Sequence, residues 1–252
     1  MICVAWKPRR TIALLVAVFA SAALAQTTWA ASADSPDPAP RLMALGDFNR
    51  DGIIDIAEAA LPTENPAGVG SLLVSLGQPD GSYKPAVTLA PLGRAPRSIV
   101  AGDFNGDGIP DVIVGDDNGA LTLFLGDGTG NLASVGDIAH FDSVTSIAVA
   151  DFNHDGILDL AVSDWRGSSV TVLLGAGNGS FKRRDSFRLR MPGTVASVTA
   201  ADFNGDHIPD LAVVYTKDDA STYEVMLGNG DGTFTDAPDL SFVKDPNSSC
   251  PT

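Results

Sequence analysis

Four nine-residue segments hold most of the residues in this 252-residue chain that could do chemistry: DFNRDGIID from Asp47, DFNGDGIPD from Asp103, DFNHDGILD from Asp151 and DFNGDHIPD from Asp202. Each places Asp, Asn, Asp and Asp at positions 1, 3, 5 and 9, and three of the four have the turn-permitting Gly at position 6. Side-chain oxygens at this odd spacing, with the backbone carbonyl of position 7 turned inward, form the hard donor set that calcium takes. The first loop would bind through Asp47, Asn49, Asp51, the Ile53 carbonyl and Asp55, and the second through Asp103, Asn105, Asp107, Ile109 and Asp111. The same offsets give Asp151, Asn153, Asp155, Ile157 and Asp159 in the third loop, and Asp202, Asn204, Asp206, Ile208 and Asp210 in the fourth. Three carboxylates so close together repel one another unless a cation lies between them, which favours up to four bound Ca2+ over ion-free turns or magnesium.

The overall charge fits this reading. The formal net charge is −15 with a pI near 4.3, and twelve of the 31 Asp and Glu residues lie in the four loops. So acidic a chain repels phosphate backbones, and nucleic acid is not an expected partner. The first loop also matches the helix-flanked EF-hand pattern as far as Glu58 at position 12, but Pro38, Pro40 and Pro62 in its flanks oppose helices, and the other copies carry Val114, Val162 and Val213 at that position.

Signals for catalysis are weak. The Gly-x-Gly runs at Gly126, Gly175 and Gly228 read as hairpin turns, with no following helix to bind phosphate. His154 and His207 stand where other copies have Arg or Gly, and the chain has no nucleophile elbow, HExxH or zinc spacing. The expectation is a protein that is not an enzyme. A polysaccharide-active enzyme stays open as the alternative, provided that its acids lie outside the loops.

The loops recur at separations of 56, 48 and 51 residues, and a Gly-rich element follows each: LGQPDGSY from Leu76, LGDGTGNL from Leu125, LGAGNGSF from Leu174 and LGNGDGTF from Leu227. Internal repetition at this period marks a repeat architecture. Within the second unit, β-prone runs cover 98–101, 111–115, 120–125 and 132–138, so each unit reads as a four-stranded antiparallel meander. Four such units repeated radially make an all-β propeller-type fold. Small residues in the first strand (Ala101-Gly102, Ala148, Ala150, Ala200-Ala201) suit the innermost position. The four loop phenylalanines, Phe48, Phe104, Phe152 and Phe203, read as core plugs.

With both elements recurring in the same order in all four units, the chain resembles the FG-GAP or VCBS repeat of integrin α-chain propellers and of many secreted bacterial proteins. That resemblance implies a calcium-binding β-propeller, usually of seven blades, used in adhesion or ligand binding, with an extracellular carbohydrate or protein as partner. Four repeats depart from seven. The expected form is an open arc or partial propeller, open to self-association or to completion within a larger adhesin, with a strained four-bladed ring as the alternative.

The expected organisation is a signal peptide over 1–25, a flexible Pro-rich lead-in over 26–40, blades at about 41–92, 93–140, 141–192 and 193–240, and a C-terminal tail over 241–252. The signal rests on Lys7, Arg9 and Arg10, on a 15-residue apolar run too short to span a bilayer, and on Ala23-Leu24-Ala25 before Gln26. It implies a secreted or periplasmic protein with no membrane span after cleavage. Cleavage leaves 13 Lys and Arg against 31 acids, a net −18, and leaves only Cys250, so no disulfide staples the fold. Of those 13 basic residues, five fall in nine positions, Lys182, Arg183, Arg184, Arg188 and Arg190, on the predicted outer strand of the third unit. Edge protection explains them, or docking of an acidic polymer. Trp165 is positioned to stack on a sugar or to pack locally.

Overall fold

The structure, a computed structural model, describes residues 41–60, 70–92, 95–166, 168–188, 194–217, 220–237 and 242–243. The signal, the lead-in, Arg190, Cys250 and most of the tail lie outside them. Described strands fall into four antiparallel meanders. The first comprises β1 (Arg41–Gly46), β2 (Asp55–Ala60), β3 (Ser71–Ser75) and β4 (Val87–Pro91), and the second β5 (Pro96–Gly102), β6 (Asp111–Asp116), β7 (Ala120–Gly126) and β8 (Leu132–His140). The third comprises β9 (Val144–Ala150), β10 (Asp159–Asp164), β11 (Ser169–Gly175) and β12 (Phe181–Arg188). In the fourth, β13 (Thr194–Ala201), β14 (Asp210–Lys217), β15 (Ala220–Gly228) and β16 (Phe234–Asp236) are joined by a short β17 (Phe242–Val243) alongside β15. That fifth strand comes from the segment expected to be only a tail.

The fold is all-β, with blades of the propeller type and no helix among the described residues. Glu58 accordingly lies on β2, facing Met43 of β1 across the ladder, and not in a helix-flanked site. The second strands, β6 and β10, are buried along their whole length, as expected for strands covered on both faces. First strands lie side by side in the order β1, β5, β9, β13, so the strand richest in small residues is the innermost; among the described residues no packing of comparable extent joins β13 to β1. The core runs between blades: Ala44, Phe48, Ala57 and Val74 of the first pack with Ile99, Val112, Val114 and Phe124 of the second, and comparable clusters fill the next two junctions.

Candidate metal centres

Each acidic loop connects the innermost strand of a blade to the second, and its own side chains fold it. In the first, the N–H of Asp51 donates to Asp47 Oδ1 (3.0 Å) and Asn49 Oδ1 (3.0 Å), Gly52 N–H to Asp47 Oδ2 (2.9 Å), and Ile53 N–H to Asp51 Oδ1 (2.8 Å). Asn49 Nδ2 donates to Asp51 Oδ2 (2.8 Å). The same five bonds recur in the other loops, on Asp103–Asn105–Asp107, Asp151–Asn153–Asp155 and Asp202–Asn204–Asp206. Asx-type bonding of this kind holds a tight turn in place. Position 6 is left-handed in every copy, with φ of +82°, +77° and +83° at Gly52, Gly108 and Gly156, and +69° at His207, where a side chain must bear that conformation.

Position 9 does different work. Asp55, Asp111, Asp159 and Asp210 open their second strands and have no solvent exposure. The two oxygens of Asp55 accept the N–H of Phe48 (2.9 Å) and of Gly77 (2.8 Å), the latter in the Gly-rich turn of the same blade. Asp111 holds Phe104 and Gly126, Asp159 holds Phe152 and Gly175, and Asp210 holds Phe203 and Gly228 in the same way. This carboxylate therefore ties acidic loop to Gly-rich turn. Burial pushes the carboxyls of Asp111 and Asp210 above the usual range, and that of Asp159 up to about 6; the two N–H donors oppose the shift and the neighbouring loop carboxylates add to it. Asp202, on the surface of its loop, is lowered instead, first by the N–H of His207.

A second latch joins successive blades. Gly130, in the turn of blade two, donates its N–H to the carbonyl of Phe48 in the loop of blade one (3.0 Å); Gly179 donates to Phe104 (2.9 Å) and Gly232 to Phe152 (3.0 Å). Phe48, Phe104 and Phe152 are fully buried, and the residue that opens the outer strand of the following blade packs with them: Leu132 in the Phe48 cluster, Phe181 edge-on to Phe104 at 6.0 Å, and Phe234 edge-on to Phe152 at 5.4 Å. The loop phenylalanines are plugs at blade junctions. Phe203 alone is half-buried.

The donor set of each loop is oxygen throughout, the chemistry calcium takes. Among the described residues no three His, Cys, Asp or Glu side chains converge as a metal cluster; the loop carboxylates and the Asn amide oxygens turn to loop N–H groups. The basic run lies on β12, at the edge of its sheet. Two of its arginines have partners: Arg183 donates to Thr171 Oγ1 (3.1 Å) and lies 5.9 Å from the centre of the Phe141 ring, while Arg184 reaches Asp231 of the next blade at both carbonyl and Oδ2 (3.1 Å each).

Four-stranded blades strung on repeated acidic loops define a propeller-type repeat protein. The chain belongs to the family described as the FG-GAP-like repeat, whose model matches residues 47–114, 103–162 and 160–213. It is similar to integrin alpha-IIb of Mus musculus, 44% identical over 79 aligned residues, in a match that covers 28% of this chain and 7% of that protein. Among solved structures it is similar to a protein from Lactobacillus plantarum (TM-score 0.54, 13% identity, 77% of this chain and 53% of that one). A fructofuranosidase from Schwanniomyces occidentalis is comparable (TM-score 0.55, 12% identity, 79% and 45%). The chain thus spans about half the length of these structures and a small part of the integrin. At such identities the structures speak for the fold alone.

Proposed function

We propose that the chain is an exported, calcium-stapled binding module without catalytic activity of its own, whose ligand is an extracellular carbohydrate or protein. The observation that supports this reading is one oxygen-rich Asp-Asn-Asp turn folded four times by the same five hydrogen bonds. Calcium would be held by the Asp, Asn and Asp side chains and the Ile carbonyl of each loop, together with its position-9 Asp, and would neutralise carboxylates that otherwise repel. Its role is structural. Each loop is bonded through position 9 to its own turn, and the first three are bonded through their Phe carbonyls to the next blade, so an ion fixed there stiffens a blade junction. Similarity to an integrin segment supports binding over turnover, and the basic and apolar N-terminal segment supports export, with the mature chain starting at Gln26.

The test is a glycan and matrix-protein binding screen with and without calcium, beside turnover assays on the same polysaccharides. Calcium-dependent binding without product formation is expected. Cleavage of any bound polysaccharide would replace this reading with that of an enzyme.

A further inference from the structure

An open groove of about 510 Å³ lies at the junction of blades three and four, and cations line it in an otherwise acidic chain. β12 contributes Lys182, Arg183 and Arg184, the acidic loop of blade three contributes Asn153, and the Gly-rich turn of blade four contributes Gly230 and Asp231. Arg183 commits its guanidinium to Thr171 and the Phe141 ring. The Lys182 ammonium is exposed, with no hydrogen-bond or ion-pair partner among the described residues. Arg184 owes its place to a β-bulge: Leu173 faces Arg183 and Val172 faces Asp185, so Arg184 is the extra residue between them. The same bulge in blade two carries the apolar Val135, between Ser134 and Gly136. The turn of blade four comes close to Arg184, since a Cβ on Gly232 would meet Leu174 at 2.8 Å and Arg184 Cγ at 3.2 Å. Arg184 uses Nε and one Nη on Asp231, which leaves its other guanidinium donors open. Edge protection asks only for charge on an outer strand, and an exposed ion pair adds little stability, so neither explains a cation held over a groove between two blades.

We infer, resting on the reading of a carbohydrate-binding module above, that this groove takes an acidic polysaccharide through its uronate carboxylates. Carboxylate is the anion because the open side of a guanidinium pairs with it in a fork, and the Lys182 ammonium adds a mobile point charge two residues along the strand. Sugar is the carrier for two reasons. No aromatic ring among the described residues lines the groove for a base to stack on, and the acidity of the chain repels the dense charge of a phosphate backbone. The volume falls within the about 300–1,000 Å³ of small-ligand sites, room for a short stretch of glycan.

The probe is a short oligogalacturonate, titrated calorimetrically onto the purified protein in calcium, beside its uncharged methyl ester. The charged oligomer should bind, the ester should not, and added salt should weaken the binding. Lys182→Glu and Arg184→Gln should each lower affinity about tenfold, the loss of one charge-assisted contact. Arg166→Glu, in the turn at the far end of β11, alters the net charge as much as Lys182→Glu does and should leave affinity unchanged. Asp231→Asn separates a ligand site from a mere tie between blades. It keeps the Oδ1 that accepts from Thr233 and removes the one carboxylate lining the groove, so affinity should rise about two- to fivefold although the junction loses an ion pair. If Arg184→Gln does not fold, Lys182→Glu and Asp231→Asn decide. Oligogalacturonate binding that these variants leave unchanged would overturn the inference, as would tighter binding of single-stranded DNA or a sulfated glycan through the same residues. A protein that ignores the oligogalacturonate but binds neutral glycans or proteins overturns it too, and leaves the proposed function standing. One that binds no glycan and no protein overturns both.

Discussion

Replacing Asp55 by Ala should unfold the protein more readily even when no metal is present. Its carboxylate is fully buried and accepts the N–H of Phe48 at 2.9 Å and of Gly77 at 2.8 Å, so truncation leaves two donors without acceptors inside the blade. Each orphaned buried donor costs about 1–3 kcal/mol, for a total of about 2–6 kcal/mol. In a domain of this size 1 kcal/mol moves the melting temperature by about 2–4 °C, so a drop on the order of 10 °C is expected. Asp51→Ala is the control. Asp51 also accepts two hydrogen bonds, from Ile53 N–H and Asn49 Nδ2, but in an exposed loop where water replaces them, so in chelator its cost should stay within about 0.5 kcal/mol. With calcium added, Asp51→Ala should keep its chelated stability and lose only the increment from one site. Calorimetric melts of both variants in chelator decide the matter. If Asp55→Ala melts no lower than Asp51→Ala, the position-9 carboxylate is not the tie between loop and turn described above.

Three further outcomes are expected. Calcium should raise the melting temperature of the wild type, since ligand at 100 times its dissociation constant adds about 2.7 kcal/mol per site; Asp107→Ala should remove only part of that gain, and an unchanged transition on chelation would count against bound calcium. His207→Gly should relieve a side chain held at φ +69°, worth on the order of 1 kcal/mol, and tighten the fourth site in a calcium titration; weaker binding would mean that the imidazole supports the loop. In chelator, the Asp159 carboxyl, raised from 3.8 to about 6, binds its proton more readily in the folded state. Its contribution is fully present below about pH 4 and is lost as pH rises through 6, on the order of 3 kcal/mol, so denaturant midpoints should fall over that window, and Asp159→Asn should flatten the fall.

Much of this was legible in the sequence because it repeats locally. The DFN loops set the period, and alternation set the strands: runs expected at 98–101, 111–115, 120–125 and 132–138 are Pro96–Gly102, Asp111–Asp116, Ala120–Gly126 and Leu132–His140 in the structure. What escaped is non-local. Position 9 reads as one more loop ligand, and nothing in nine residues reveals that its carboxylate spans 15 to 22 residues to the Gly-rich turn. The turns read as plain hairpins. That Gly130, Gly179 and Gly232 bond the preceding blade needs three dimensions, although the third glycine of each run was a visible sign. Arg183 and Arg184 look like free charge in a list of residues, yet they bond Thr171 and the next blade.

The glycine-to-phenylalanine latch has a direction, since donor and acceptor always belong to successive units. Cutting out one unit between equivalent points would therefore bring together a turn and a loop that already fit, and inserting one would create no surface the chain has not already solved.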